Sequence, residues 1–138
     1  MYSSTGCQCC SALRIRQIHA QYGLIRLYWN AVARAHAEAW ANDKSTLLKG
    51  IGIWVFSYLG ADIIDRCLVR GIAAGELDQE IDMYLEQTQH VYDWGEHDTI
   101  SGTTGQRGAR EAAREMKKQL SDDDIHMSRL VAAMRNMV

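Results

Sequence analysis

The sequence predicts an all-α domain: a compact bundle of four to five helices with a hydrophobic central helix and one long glycine-rich loop. Three observations carry this. The 138 residues include no proline, where the usual frequency of about 5% would give roughly seven. Proline removes a backbone donor and clashes with the preceding turn, so a chain without it is free to run long helices. Apolar residues recur at steps of three and four along most of the chain, the spacing of one helix face. Finally, 47% hydrophobic against 23% charged residues is enough apolar material for one core and too much for disorder. The length fits a single domain spanning 1–138.

Residues 1–12 are small, polar and without periodicity, and are expected to be loosely ordered. Leu13, Ile15 and Ile18 alternate imperfectly with Arg14, Arg16 and Gln17, which suits either a short strand or a first helical turn. From Gln21 to about Ala41, Leu24, Leu27, Tyr28, Ala31, Val32 and Ala35 mark one helix face, and Arg34 and Glu38 stand at the i, i+4 spacing of a weak ion pair. Asn42-Asp43-Lys44-Ser45 is turn chemistry, and Ser45 or Thr46 can cap the next helix through a hydroxyl oxygen.

That next helix, Leu47 to about Ala74, is the expected core element. Leu47, Leu48, Ile51, Trp54, Val55, Tyr58 and Leu59, then Ile63, Ile64, Cys67 and Leu68, form a stripe wide enough to be buried on most sides. Gly50, Gly52 and Gly60 weaken it, each by about 1 kcal/mol relative to alanine, and imply close packing or a break near Gly60. Glu76 to about Trp94 follows as a helix with Leu77, Ile81, Tyr84, Leu85 and Val91 inward. Residues 76–100 hold eight acids and no lysine or arginine. Residues 95–108 read as the long loop, Ala109 to Leu120 as a further helix, and Ser121 with Asp122, Asp123 and Asp124 as the cap of a last one, with Ile125, Leu130, Val131 and Met134 on its apolar side.

The stretch with the sharpest chemical pattern is Gly102-Thr103-Thr104-Gly105-Gln106-Arg107-Gly108, directly before a helix. Glycines every third residue let backbone amides approach an anion, and a helix N-terminus adds unsatisfied donors and partial positive charge. Arg107, Arg110 and Arg114 can grip phosphate bidentately. Gly102, Gly105, Arg107, Gly108, Arg110 and Arg114 are therefore the candidate anion-binding set. The competing expectation is a flexible connector whose arginines meet the acidic helix before it. Glu96-His97-Asp98 is a second candidate, a polar loop site in which a histidine lies between carboxylates.

Other chemistries find no support. No Gly-x-Ser-x-Gly elbow, His-Glu-x-x-His pair or Walker loop occurs. Cys7, Cys9 and Cys10 are spaced unlike zinc-ligand pairs, and Cys67 within the apolar stripe reads as a small buried hydrophobe. No catalytic residue, metal ligand or cofactor is assigned. Tyr28, Trp29, Trp40, Trp54, Tyr58, Tyr84, Tyr92 and Trp94 stand mostly at helical spacing and read as core, with one of Trp29 and Trp40 free to be exposed. The longest uncharged apolar run, Gly50 to Ala61, falls short of the roughly 20 residues that span a membrane. No basic segment followed by an apolar run opens the chain, so a cytoplasmic location is expected.

Tyr28-Trp29-Asn30, Trp40, Leu47-Leu48-Lys49, Gly50 and Gly52, followed by an acidic helix, Asp93-Trp94 and the Gly102–Gly108 loop, resemble the C-terminal helical region of DGQHR-domain proteins. The resemblance covers roughly Ile25 to Gln119. The Asp-Gly-Gln-His-Arg signature itself is absent, so no catalytic residue is carried over. The family is associated with DNA phosphorothioation islands and other mobile or defence-linked loci, including DNA-binding regulators, and the resemblance implies a small accessory module of that setting.

Three functions follow as expectations. The first is a non-enzymatic interaction module, in which the hydrophobic central helix offers more apolar surface than its neighbours cover and so pairs as a homodimer. The second is nucleic-acid or phosphate binding through the glycine loop and the following basic helix, where residues 101–120 hold five basic and two acidic side chains. The third is an enzyme using Glu96, His97 and Asp98.

Overall fold

A computed structural model of the chain describes residues 8–95, 100 and 105–136. It is all-α, and no strand occurs among the described residues. The elements are α1 (Gln8–Ala35), α2 (Ala37–Ala41), α3 (Gly50–Val69), α4 (Leu77–Thr88), α5 (Gly105–Lys117) and α6 (Asp122–Asn136), with a short 3-10 turn at Ala74–Glu76 before α4. No helix of the described residues is long and apolar enough to cross a membrane.

α3 is the centre, as its apolar stripe requires. Gly52, Val55, Phe56, Leu59, Gly60, Ile63 and Cys67 are buried, a run at steps of three and four along one face. α1 contributes Tyr28, Ala31 and Val32, α4 contributes Ile81, Tyr84 and Leu85, and α5 contributes Ala109, Ala112, Ala113 and Met116. The alanine stripe of α5 lets its backbone approach α3 closely, which fixes what its opposite face can present. The helix does not break at Gly60. A Cβ there would meet the Tyr28 ring at 2.6 Å, and the Tyr28 hydroxyl donates to the Phe56 carbonyl at 2.6 Å, so Gly60 is where α1 and α3 touch. At Gly52 a Cβ would collide with the Leu47 backbone.

Several boundaries differ from the sequence expectation. α1 begins at Gln8, inside the segment expected to be loose, and continues through 13–18 as helix. It then breaks at His36, whose φ −122°, ψ 45° leaves helical geometry. The helix partly survives in its hydrogen bonds: the His36 N–H donates to the Val32 carbonyl and the His36 carbonyl accepts from Trp40. The break turns the imidazole into the core, edge-on to Phe56 at 5.3 Å and to Trp94 at 6.5 Å. Arg34 does not pair with Glu38; it reaches across to Asp82 on α4 at 2.9 Å. α5 begins at Gly105 (φ +77°), so Gly105 and Gly108 lie in its first turn rather than in a loop.

The caps also differ. Ser45 accepts from the Leu47 N–H and so closes a turn of its own instead of capping α3, whose N-cap is Lys49. Ser121 does cap α6, accepting from the Asp124 N–H at 3.2 Å, and is clamped by Gln87 through two further hydrogen bonds. Ile125 is buried, but Leu130, Val131 and Met134 are exposed, because α6 meets the bundle mainly at its first turn. Trp94 follows α4 with φ +65°, a left-handed conformation that costs a side-chain-bearing residue energy. Its ring is fully buried against Phe56 and Tyr92, and its carbonyl accepts from the Thr46 N–H. Core contacts hold it there.

A second layer of structure is polar. Glu80, 2% exposed, accepts from Arg70 at 3.0 Å. Arg70 also donates to the Tyr84 hydroxyl, which donates to Asp122 at 2.6 Å, and Arg66 bridges Asp122 and Asp62. The chain of charges pins the first turn of α6 to α3 and α4. The Tyr84 hydrogen bond does most to hold the Asp122 carboxyl below its usual range, against burial and with help from Arg66. Tyr84 itself is pushed up to about 12, first by burial and then by Asp122. Burial opposes the charge on Arg66, and its hydrogen bonds to Asp62 and Asp122 outweigh that.

Candidate anion-binding face of α5

The buried and exposed sides of α5 follow from its sequence. Ala109, Ala112, Ala113 and Met116 face α3, so the residues between them face outward. Arg107, Arg110 and Arg114 are exposed and Lys117 is half-buried. Arg107, Arg110, Arg114 and Lys117 succeed one another at steps of three and four, which places them on adjoining turns.

Their partners decide what the face can do. Arg107 is 95% exposed and lies 3.6 Å from Glu111 one turn on, and Lys118 pairs with Glu115 at 2.7 Å. Both carboxylates of the helix are thus met by its outermost cations. Among the described residues, no carboxylate pairs with Arg110, Arg114 or Lys117. Arg110 instead rests on α3, its guanidinium 5.5 Å over the Tyr58 ring and its Nε donating to the Tyr58 hydroxyl at 3.3 Å. An aromatic face attracts a guanidinium without neutralising it.

Among the described residues, none of these arginines forms an ion pair with an acid of α4. Two of the four acids of α4 pair with arginines of other elements, Asp82 with Arg34 and Glu80 with Arg70. Two shallow clefts flank Arg110. One of about 300 Å³ is lined by Tyr58, Arg110, Arg114 and Lys117, and one of about 550 Å³ by Gln106, Arg107, Arg110, Glu111 and Arg114.

Comparison with protein-family models, with curated proteins and with solved structures finds no match. The site therefore rests on its own geometry.

Of the candidate anion set, Arg110 and Arg114 line both clefts, Arg107 lines the larger one beside Glu111, and Gly105 and Gly108 are first-turn residues of α5. Gly102 lies outside the described residues, as do Glu96, His97 and Asp98 of the polar loop site and Cys7. Cys9 and Cys10 fall in the first turn of α1. Cys67 is buried, and burial pushes its thiol up to about 11, with Glu80 adding to it, which suits a packing role. Among the described residues, no three histidine, cysteine, aspartate or glutamate side chains cluster as a metal site.

Sequence inspection passed over Tyr58 and Trp54 as parts of this face. Their spacing predicts core positions, and Tyr58 does pack partly against the core, but Trp54 is 43% exposed while Trp29 and Trp40 are half-buried. The available signal was their i, i+4 spacing on the side of α3 opposite Phe56. Lys117 was also missed, although it continues the arginine series by three residues.

Proposed function

We propose that this chain is a non-catalytic binding module that takes up phosphate groups of an anionic polymer on the outer face of α5. One observation carries the proposal: Arg110, Arg114 and Lys117 line one cleft with Tyr58 and have no paired carboxylate among the described residues, while Glu111 and Glu115 are matched by Arg107 and Lys118. Arginine offers a fixed fork of donors for phosphate oxygens. A net charge of −2 does not oppose this, since local charge, screened over about 10 Å at 0.1 M salt, governs a surface contact. An accessory role at mobile or defence-linked DNA, as the resemblance to DGQHR-domain proteins implies, fits such a face.

The test is fluorescence anisotropy with a labelled 20-base-pair duplex at 50 and 200 mM salt. The parent is expected to bind at 50 mM and to weaken steeply as salt rises, since each neutralised phosphate releases counterions. Arg110→Ala/Arg114→Ala should weaken binding by at least about tenfold and shallow the salt slope by about two, with thermal melting nearly unchanged because exposed charges contribute little to stability. A parent that binds neither this duplex nor a single strand at 50 mM salt, or a double variant that binds like the parent, would overturn the proposal.

Self-association is a second reading, favoured by two uncovered apolar stripes. The central helix buries Val55, Phe56, Leu59 and Ile63 but leaves Ile53, Trp54, Leu68 and Val69 exposed. The two stripes lie on α1, where Ile18, Tyr22 and Ile25 are exposed at i, i+4 and i+7, and on α6, where Met127, Leu130, Val131 and Met134 repeat the same spacing. Residues 16–26 of α1 are exposed except Leu24, and a helix of this length standing alone is marginal in water. A homodimer covering both stripes should appear by light scattering at about 50 μM, and Ile18→Asp/Tyr22→Asp should convert it to monomer. A monomeric parent rejects this reading.

A further inference from the structure

The face that α5 shares with α3 carries flat groups as well as charge. Gly50, Trp54 and Tyr58 stand at i, i+4 and i+8, one line along α3. The Trp54 and Tyr58 rings lie 6.1 Å apart with only 33° between their planes, and the Arg110 guanidinium sits over the Tyr58 ring. Guanidinium, phenol and indole thus follow one another along the surface.

The indole keeps room for another flat group. Side chains of a helix lean toward its N-terminus, so Trp54 leans over the turn that holds Gly50. Gly50 has no side chain, and a Cβ built there would meet nothing within 4 Å. Trp54 itself is 43% exposed, and the core that covers Phe56 and Leu59 on the other side of α3 gains little from it. Ile53, 46% exposed, and the exposed Lys49 border the same turn.

We propose that the α3–α5 face binds single-stranded nucleic acid, with an unpaired base stacked on Trp54 and the neighbouring phosphates held by Arg110, Arg114 and Lys117. This rests on the phosphate-binding reading of α5 and adds the class of polymer. Successive cations along α5 are set about 4.5–6 Å apart in rise, a spacing on the scale of consecutive phosphates in one strand. Base stacking on aromatic side chains is tolerant of sequence because every base offers a π face. A duplex buries those faces in its own stack and shows only base edges in its grooves. An exposed indole presents a flat face, which matches the unpaired base.

The test uses four labelled probes with the full chain at 50 and 200 mM salt: a 12-nucleotide thymidine strand, an abasic strand of equal length, a 12-base-pair duplex and the 20-base-pair duplex used above. The parent should prefer the thymidine strand over the abasic strand and the short duplex. Trp54→Ala should weaken the thymidine strand by about 5- to 100-fold and leave the abasic strand, both duplexes and the salt slope unchanged. Trp54→Phe should restore much of the loss, and tryptophan fluorescence should fall on binding in the parent but not in Trp54→Ala. Arg110→Ala/Arg114→Ala should weaken all four probes. If Trp54→Ala binds the thymidine strand as the parent does, or if the parent prefers the short duplex, single-strand binding is wrong and phosphate binding stands. If the parent binds none of the probes at 50 mM salt, both fail.

Discussion

Arg70→Met is expected to lower stability by about 3 kcal/mol, one of the two largest single-residue effects in the molecule. The substitution removes the guanidinium that meets Glu80 at 3.0 Å and the Tyr84 hydroxyl at 2.9 Å, while Glu80 stays in a site where it is 2% exposed. Removing one partner of a buried pair leaves a desolvated charge, which costs about 3–5 kcal/mol. The lower end applies because the Arg70 side chain is itself partly open to water, 19% exposed. In urea the midpoint should drop by about 1–2 M at an ordinary slope for a domain this size. The double variant Arg70→Met/Glu80→Met should be less destabilised than Arg70→Met alone, since it removes the buried carboxyl together with its arginine. Equal or additive losses in the double variant would show that the pair is not coupled.

The second large effect is a loss of stability in mild acid that His36 controls. Its Nε2 is buried with no hydrogen-bond partner among the described residues, and its ring is packed between Phe56 and Trp94. Burial lowers its pKa to about 4 from the ordinary 6.5. Between those values the unfolded chain binds a proton that the folded chain refuses, so stability falls as pH drops from about 6.5 to about 4 and is level for this group on either side. The span corresponds to about 3 kcal/mol. Asp122, whose carboxyl is held below 3.8, contributes its own loss only below that window. Urea melts at half-unit steps from pH 7.5 to 4 check this. His36→Leu should flatten the profile across the window and hold stability at pH 7 within about 1.5 kcal/mol of the parent, because it removes an unpartnered polar atom and keeps most of the volume. A variant with the same acid slope as the parent would place the titration elsewhere.

Much of the helical plan was legible from residue order. Absence of proline and the three-and-four repeat are local properties, and helix is a local structure, so α3, α4, α5 and α6 lie close to where periodicity puts them. The same holds for the Ser121 cap, whose hydroxyl acts on an amide three residues away. The burial of Ile81, Tyr84, Leu85 and Cys67 followed from their shared faces. Boundaries at Gln8, Gly105 and His36 did not follow, since a polar N-terminal stretch, a glycine and a histidine each have weak helical preference that packing overrides.

What only the tertiary structure decided is the assignment of partners. Arginine is long enough to reach any of several carboxylates, and spacing within a helix ranks only the i, i+4 options. Arg34 took Asp82 rather than Glu38, Arg70 took Glu80, and Arg110 took the ring of Tyr58, each because another helix brought that group nearer. Exposure along an apolar stripe is likewise a property of what lies opposite. On α6 Ile125 found the core while Leu130, Val131 and Met134 did not, and on α3 Trp54 faces water two residues before the buried Phe56. Sequence by itself determined that these residues form amphipathic helices. Which face each helix shows to solvent, and hence that Arg110, Arg114, Lys117 and Trp54 share one surface, depends on how the alanine side of α5 seats against α3, a contact between segments some fifty residues apart.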